Sequence, residues 1–139
     1  MVTGDVEGKV KIWQQDEPYE VERELNVSDL SIVSVASTGS LVIASGMDSR
    51  ITAWDISTGE KVREIQCGPV NNWALAVNPT NFDLVATTGQ AGNIQVWDIK
   101  SGARVQVLET QNSKFTMSVA WVRFLHFLPL IELFSLTMH

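Results

Sequence analysis

A few side chains in this chain of 139 residues are of types that do chemistry, and their spacing decides whether they do it here. Asp5 with Glu7, and Glu22 with Glu24, are carboxylates two residues apart. Close carboxylates serve acid–base catalysis when one is held protonated, or hold Ca²⁺ when a loop gathers further oxygens. No EF-hand spacing follows either pair, and both read as solvated charges of strands and turns. Cys67 is the single cysteine, so it has no partner for an internal disulfide or a thiolate metal site, and it reads as an inert, partly buried thiol. The two histidines, His126 and His139, stand beyond the regularly patterned part of the chain, so no Ser-His-Asp device can be assembled within that part. Loops of the forms G-x-x-x-x-G-K-[ST], G-x-G-x-x-G and G-x-S-x-G do not occur. The expectation is a chain with no catalytic residue, no cofactor and no metal.

Charge narrows the partners. The net charge is −6, from 16 acids and 10 bases. Such a chain repels phosphate backbones and anionic lipid, which disfavours direct nucleic-acid or membrane-surface binding. The excess is local: residues 1–29 carry eight acids and three bases, and the remaining residues eight and seven. The opening Met-Val-Thr-Gly-Asp has neither the basic start nor the apolar run of a signal peptide. The apolar stretch Phe124 to Phe134 is too short to span a bilayer and contains His126, Pro129 and Glu132. The expected address is cytoplasm or nucleus, where the sequon Asn26-Val27-Ser28 goes unused.

The elements that would position any site come from a repeat. Gly8-Lys-Val-Lys-Ile-Trp13, Ser49-Arg-Ile-Thr-Ala-Trp54-Asp55 and Gly92-Asn-Ile-Gln-Val-Trp97-Asp98 align, with tryptophans 41 and 43 residues apart. Before each tryptophan the apolar residues alternate: Val10 and Ile12, Ile51 and Ala53, Ile94 and Val96. Period-two alternation is a strand with one buried face. A glycine precedes each tryptophan by eight residues (Gly46, Gly89) or nine (Gly4), at the end of a β-prone run. Gly59 and Gly102 each stand five residues after a tryptophan, where positive φ would close a tight hairpin with a bulge. The first copy has Asp16-Glu-Pro-Tyr19 there instead. Further strands are expected at Val21 to Leu25, Lys61 to Gln66 and Arg104 to Leu108. Inner strands are expected at Ile32 to Ala36, Trp73 to Val77 and Met117 to Trp121. Val33, Trp73 and Met117 recur at 40 and 44 residues.

Four short antiparallel strands every 40 to 45 residues, ending in Trp-Asp, are the signature of a propeller blade. Over residues 1 to about 121 the chain resembles the WD40-repeat family. The resemblance implies an all-β, partial β-propeller of about three blades, open rather than closed. The blades would cover 1–26 (partial), 30–67 and 71–109, with the first strand of a fourth at 114–121. Trp13, Trp54, Asp55, Trp97, Asp98, Asp48, Gly46, Gly89, Gly59 and Gly102 would be the structural repeat positions. In the family, an Asp in a turn, a His from Gly-His, a strand Ser or Thr and the Trp often form a hydrogen-bonded tetrad. Here the Asp position holds Glu7, Asp48 and Ala91, the strand position holds Ala44 and Thr87, and no Gly-His occurs. No tetrad is complete, and the polar brace is expected to be missing from every blade, leaving stability to apolar packing.

The run Gly68-Pro-Val-Asn-Asn-Trp-Ala-Leu-Ala-Val-Asn-Pro79, with Ser101-Gly-Ala-Arg-Val and Lys114-Phe-Thr-Met-Ser-Val-Ala-Trp121, is similar to the WD-repeat subunits of the superkiller (SKI) complex and of the Paf1 elongation complex. That resemblance implies a seven-bladed, non-enzymatic scaffold in mRNA decay or transcription elongation, with helicase and tetratricopeptide-type proteins as partners. A WD40 adaptor of another pathway, such as a ubiquitin-ligase substrate reader, is the alternative. A propeller hydrolase lacks usable histidines. WD40 relatives often carry an aromatic at the rim where partners dock, and the resemblance places Trp73 there, with Asn71, Asn72, Asp29 and Phe115 near corresponding rims.

Two features lead to the expectation of a fragment. Val2-Thr3-Gly4 matches a second strand with no inner strand before it, and the pattern stops after Trp121. Residues 122–139 hold eleven apolar side chains among eighteen and no glycine turn. An altered reading frame or intron read-through is expected, with a hydrophobic partner-binding tail as the alternative. An open stack would aggregate or depend on a partner.

Overall fold

The computed structural model describes residues 1–68, 73–89, 92–110, 115–122 and 133–136, and every regular element among them is a strand. The first sheet holds β1 (Val2–Gly4), β2 (Lys9–Trp13) and β3 (Val21–Asn26). The second holds β4 (Ile32–Ser37), β5 (Leu41–Gly46), β6 (Arg50–Asp55) and β7 (Lys61–Gln66). The third holds β8 (Ala74–Val77), β9 (Leu84–Thr88), β10 (Asn93–Asp98) and β11 (Arg104–Glu109), and β12 (Ser118–Trp121) pairs with β13 (Leu133–Leu136). All pairings are antiparallel between sequence neighbours, so each sheet is an up-and-down meander.

Strand alternation sends successive side chains to opposite faces, and the second and third sheets use both. Ile51 and Ala53 of β6 face forward, into a core with Ile43, Ile65, Leu75, Val85 and Trp97. Trp54, on the other face of β6, packs backward with Val10, Ile12, Leu25 and Val42. The third sheet repeats this: Trp97 faces back onto the second sheet, while Ala86 and Ile94 face forward to Val119 and Trp121. The apolar stripe of one sheet thus meets the tryptophan of the next. Val10, Val42, Ile43, Ile51 and Val85 are fully buried in these seams. Each such side chain contributes about 1.5–3 kcal/mol by leaving water. The inner strands β4, β8 and β12 lie side by side, β4 against β8 and β8 against β12, and β1 lies against β4.

Polar ties reinforce the seams. The Leu75 N–H donates to Ser34 Oγ at 3.3 Å, and Trp121 Nε1 donates to the Ala76 carbonyl at 3.0 Å. At the outer strands, Arg23 Nη1 and Nη2 donate to the carbonyls of Thr58 and Ser57, at 2.7 and 2.9 Å, in the next sheet's β6–β7 turn. Forty residues on, Arg63 repeats the reach from β7 to the carbonyl of Lys100 in the β10–β11 turn.

The hairpins form as their glycines require. Gly59 and Gly102 have φ of 73° and 75°, and a bulge breaks the register at Ala53/Trp54 and at Val96/Trp97. The Trp-Asp aspartates cap these turns. Asp55 Oδ1 accepts from the N–H groups of Ser57 and Thr58 at 2.8 and 2.9 Å, and Asp98 Oδ1 from those of Lys100 and Ser101 at 2.8 and 3.1 Å. The residue before the tryptophan-bearing strand of each sheet is also left-handed: Gly8 at 82° before β2, Ser49 at 61° before β6 and Gly92 at 72° before β10.

Two expectations need correction. The polar brace is not missing from every blade: Trp97 Nε1 donates to Thr87 Oγ1 at 3.1 Å, and Trp13 Nε1 to Thr3 Oγ1 at 2.8 Å. Both threonines lie ten residues before their tryptophan, where the antiparallel register brings a hydroxyl under the indole. Ala44 holds that place in the second sheet, and the buried Trp54 Nε1 has no partner. In the first copy it is Asp5, not Glu7, that caps the turn, accepting from the N–H groups of Glu7 and Lys9 at 3.0 and 2.9 Å. Leu133–Leu136, in the tail that the sequence leaves outside the repeat, pairs as a strand with β12, whose hydrogen-bonding edge is open to a β-prone segment.

Candidate interaction surface

The strands run between two ends of the stack. Trp13, Trp54 and Trp97 lie toward one end, with the turns after Ser37, Asp55, Val77 and Asp98. The inner strands begin at the other, which forms a rim with the turns after Gly46 and Thr88.

Apolar side chains collect at the rim. Leu30, Val33, Trp73, Phe115 and Met117 are 50, 38, 43, 44 and 42% exposed. Val33, Trp73 and Met117 occupy the same place in successive inner strands. Val33 sits at a bulge in the β4–β5 pairing, and Trp73 is fixed by its N–H donating to the Thr88 carbonyl at 2.8 Å. Phe115 and Met117 flank Thr116, which is fully buried and whose N–H reaches the Gly89 carbonyl. Asp29 is exposed beside Leu30. Asn71 and Asn72 lie outside the described residues. Sequence reasoning singled out Trp73, Asp29 and Phe115 but passed over Leu30, Val33 and Met117 as rim residues. The period shared by Val33, Trp73 and Met117 was the signal for two of them.

A small polar network holds this rim. The Ser28 hydroxyl donates to Asp48 Oδ2 at 3.0 Å and accepts the Leu30 N–H at 3.0 Å. The Arg50 N–H donates to Asp48 Oδ1 at 3.2 Å. Gly46 is required by proximity, since a Cβ there would come within 2.7 Å of Asp48 Oδ1. Ser28 is thus a side-chain partner of Asp48 at this turn.

The pKa values of Asp55 and Glu64 are lowered and those of Lys9 and Lys100 raised, all away from neutrality. The Ser57 hydroxyl and then the Thr58 N–H lower that of Asp55, and Lys61 lowers that of Glu64. Glu24, then Glu7, raise that of Lys9, and Asp83 raises that of Lys100. General acids and bases need the opposite displacement. Among the described residues no group of three or more His, Cys, Asp or Glu converges as metal ligands do, and both histidines lie outside those residues. Cys67 is a buried thiol in the seam between the second and third sheets.

With three meanders packed face to face, comparison with known structures decides the architecture. The chain superposes on the crystal structure of the WD40 beta propeller domain of Doa1 with a TM-score of 0.73 at 18% identity, over 85% of this chain and 38% of that one. The fold is part of a WD40 β-propeller. In sequence, 47 residues are 36% identical to a WD repeat-containing protein, SL1-17, of Schistosoma mansoni. That match takes in 34% of this chain and 16% of the relative, so the chain spans a minor part of both proteins. No protein-family model matches it.

Proposed function

We propose that this chain is a non-enzymatic scaffold that joins proteins, and that it works in an assembly of the superkiller or Paf1 type. The observation that carries the reading is the row of half-exposed apolar side chains, Leu30, Val33, Trp73, Phe115 and Met117, at one end of a rigid stack. Rigid sheets hold that row in place before any partner arrives, so little ordering entropy is lost on contact. A large, partly exposed aromatic such as Trp73 is a typical interface anchor. The narrower assignment draws support from the run Gly68 to Pro79, with proline and no histidine after the glycine, and from Lys114-Phe115. Helicase and tetratricopeptide-type subunits are the partners it implies, in cytoplasm or nucleus.

Capture of purified superkiller and Paf1 subunits on the immobilised chain tests the proposal. Retention that falls about tenfold (~1.4 kcal/mol) in Trp73→Ala, at an unchanged melting temperature, is expected. Equal retention by wild type and variant removes Trp73 as an anchor. Retention of ligase components in place of both assemblies overturns the narrower assignment.

A further inference from the structure

The end of the stack opposite the rim carries a groove of about 660 Å³ between the second and third sheets. Leu41, Val62 and Ile99 form its apolar lining, and Phe82 stands beside them. Val62 and Phe82 are 51 and 56% exposed, so apolar surface here remains in water. Arg63, Lys100 and Asp83 line the same groove.

The repeat supplies an internal control. At the junction of the first and second sheets, Glu22 stands in the place of Val62, Ile56 in that of Ile99 and Ser57 in that of Lys100. Phe82 has no counterpart, because six residues separate β8 from β9 where three separate β4 from β5. Arg23 and Arg63 match, and both tie to the neighbouring turn. This junction has therefore exchanged an acid for an apolar residue and a serine for a lysine, and has gained an exposed aromatic. Seam packing needs none of these changes, since the first junction closes without them.

We propose that this groove binds an extended segment of a partner protein that carries an apolar side chain next to a carboxylate. Charge complementarity sets the sign: two cations face the single carboxylate of Asp83, in a chain of net charge −6. Lys100 Nζ contacts Asp83 Oδ2 at 2.7 Å, and an ammonium has three donors, so a second carboxylate can be bound beside the first. The apolar side chain would cover Phe82 and Val62. The site lies at the far end of the strands from Trp73 and stands independently of the rim.

The test is an amide-shift titration of the whole chain with acetyl-Leu-Asp-Leu-Asp-amide, with Leu-Asn-Leu-Asn and Leu-Lys-Leu-Lys counterparts. Saturating shifts at Gly39, Val62, Phe82 and Lys100 are expected, with affinity reduced about tenfold for the Asn peptide and lost for the Lys peptide. Lys100→Glu and Phe82→Ser, both exposed, should each weaken binding about tenfold. Equal affinity for all three peptides, shifts centred on Trp73, or no saturable shift would overturn the proposal, and the peptide comparison needs no protein variant.

Discussion

The guanidinium of Arg23 occupies the space that a side chain on Gly59 would fill, although 36 residues separate the two. From there it donates to the carbonyls of Ser57 and Thr58 and ties the first sheet to the second. Gly59 therefore serves twice, once for its φ of 73° and once for the approach of the arginine. Gly59→Ala should cost about 2–3 kcal/mol, from left-handed strain plus the collision. In Arg23→Ala that cost should fall by about 1 kcal/mol, because the collision is gone. Urea denaturation of the four proteins of this cycle measures the difference. An identical Gly59→Ala penalty with and without Arg23 would mean the contact carries no energy.

The second sheet should gain from the hydroxyl it lacks. Trp54 Nε1 is buried without a partner, while its equivalents bond to Thr3 and Thr87. Ala44→Ser should stabilise by about 1 kcal/mol, and Thr87→Val should destabilise by about 1–2 kcal/mol. Thermal unfolding checks both. The register argument is wrong if Ala44→Ser destabilises while Thr87→Val is silent.

Acid should loosen the β6–β7 turn through Asp55. Its carboxyl is held below the ordinary value of 3.8, first by the Ser57 hydroxyl and then by the Thr58 N–H. A lowered folded pKa gives stability that is present above about pH 4 and lost as pH falls through the folded value. Asp55→Asn should flatten that part of the stability–pH profile, read by urea midpoints between pH 5 and about pH 2. A wild-type slope that survives in Asp55→Asn would assign the acid sensitivity elsewhere.

The outer edge of the third sheet should be sticky. Val105 and Val107 are 53 and 36% exposed on β11, whose outer side has no strand partner among the described residues. An exposed apolar edge templates further strands. Val105→Lys should lower light scattering at high concentration without shifting the melting temperature. Unchanged scattering would place self-association on another surface.

Much of this was legible in the sequence for a physical reason. Alternation at Val10 and Ile12, Ile51 and Ala53, and Ile94 and Val96 records a buried strand face directly, and Gly59 and Gly102 record turns that need positive φ. The aromatic at Trp73 was visible because the repeat fixed its position. Contacts between distant residues were less legible. Arg23 and Arg63 recur at forty residues, yet their acceptors are backbone carbonyls, which no residue type announces. The Thr3–Trp13 and Thr87–Trp97 bonds depend on strand register, which composition does not set. Phe82 carries no signal in the sequence, because its meaning comes from Val62 across the seam and Ile99 in its own sheet.

The account rests on Trp54 and Trp97 each packing backward onto the preceding sheet while the alternating stripe packs forward. Side-chain NOE measurement on methyl-labelled chain tests this most directly. The Trp97 indole should show cross-peaks to Ile43 and Ile65 of the second sheet, and the Trp54 indole to Val10, Ile12 and Leu25 of the first. Indole cross-peaks confined to residues of the tryptophan's own sheet would contradict the stacked arrangement, and the rim and the groove would go with it.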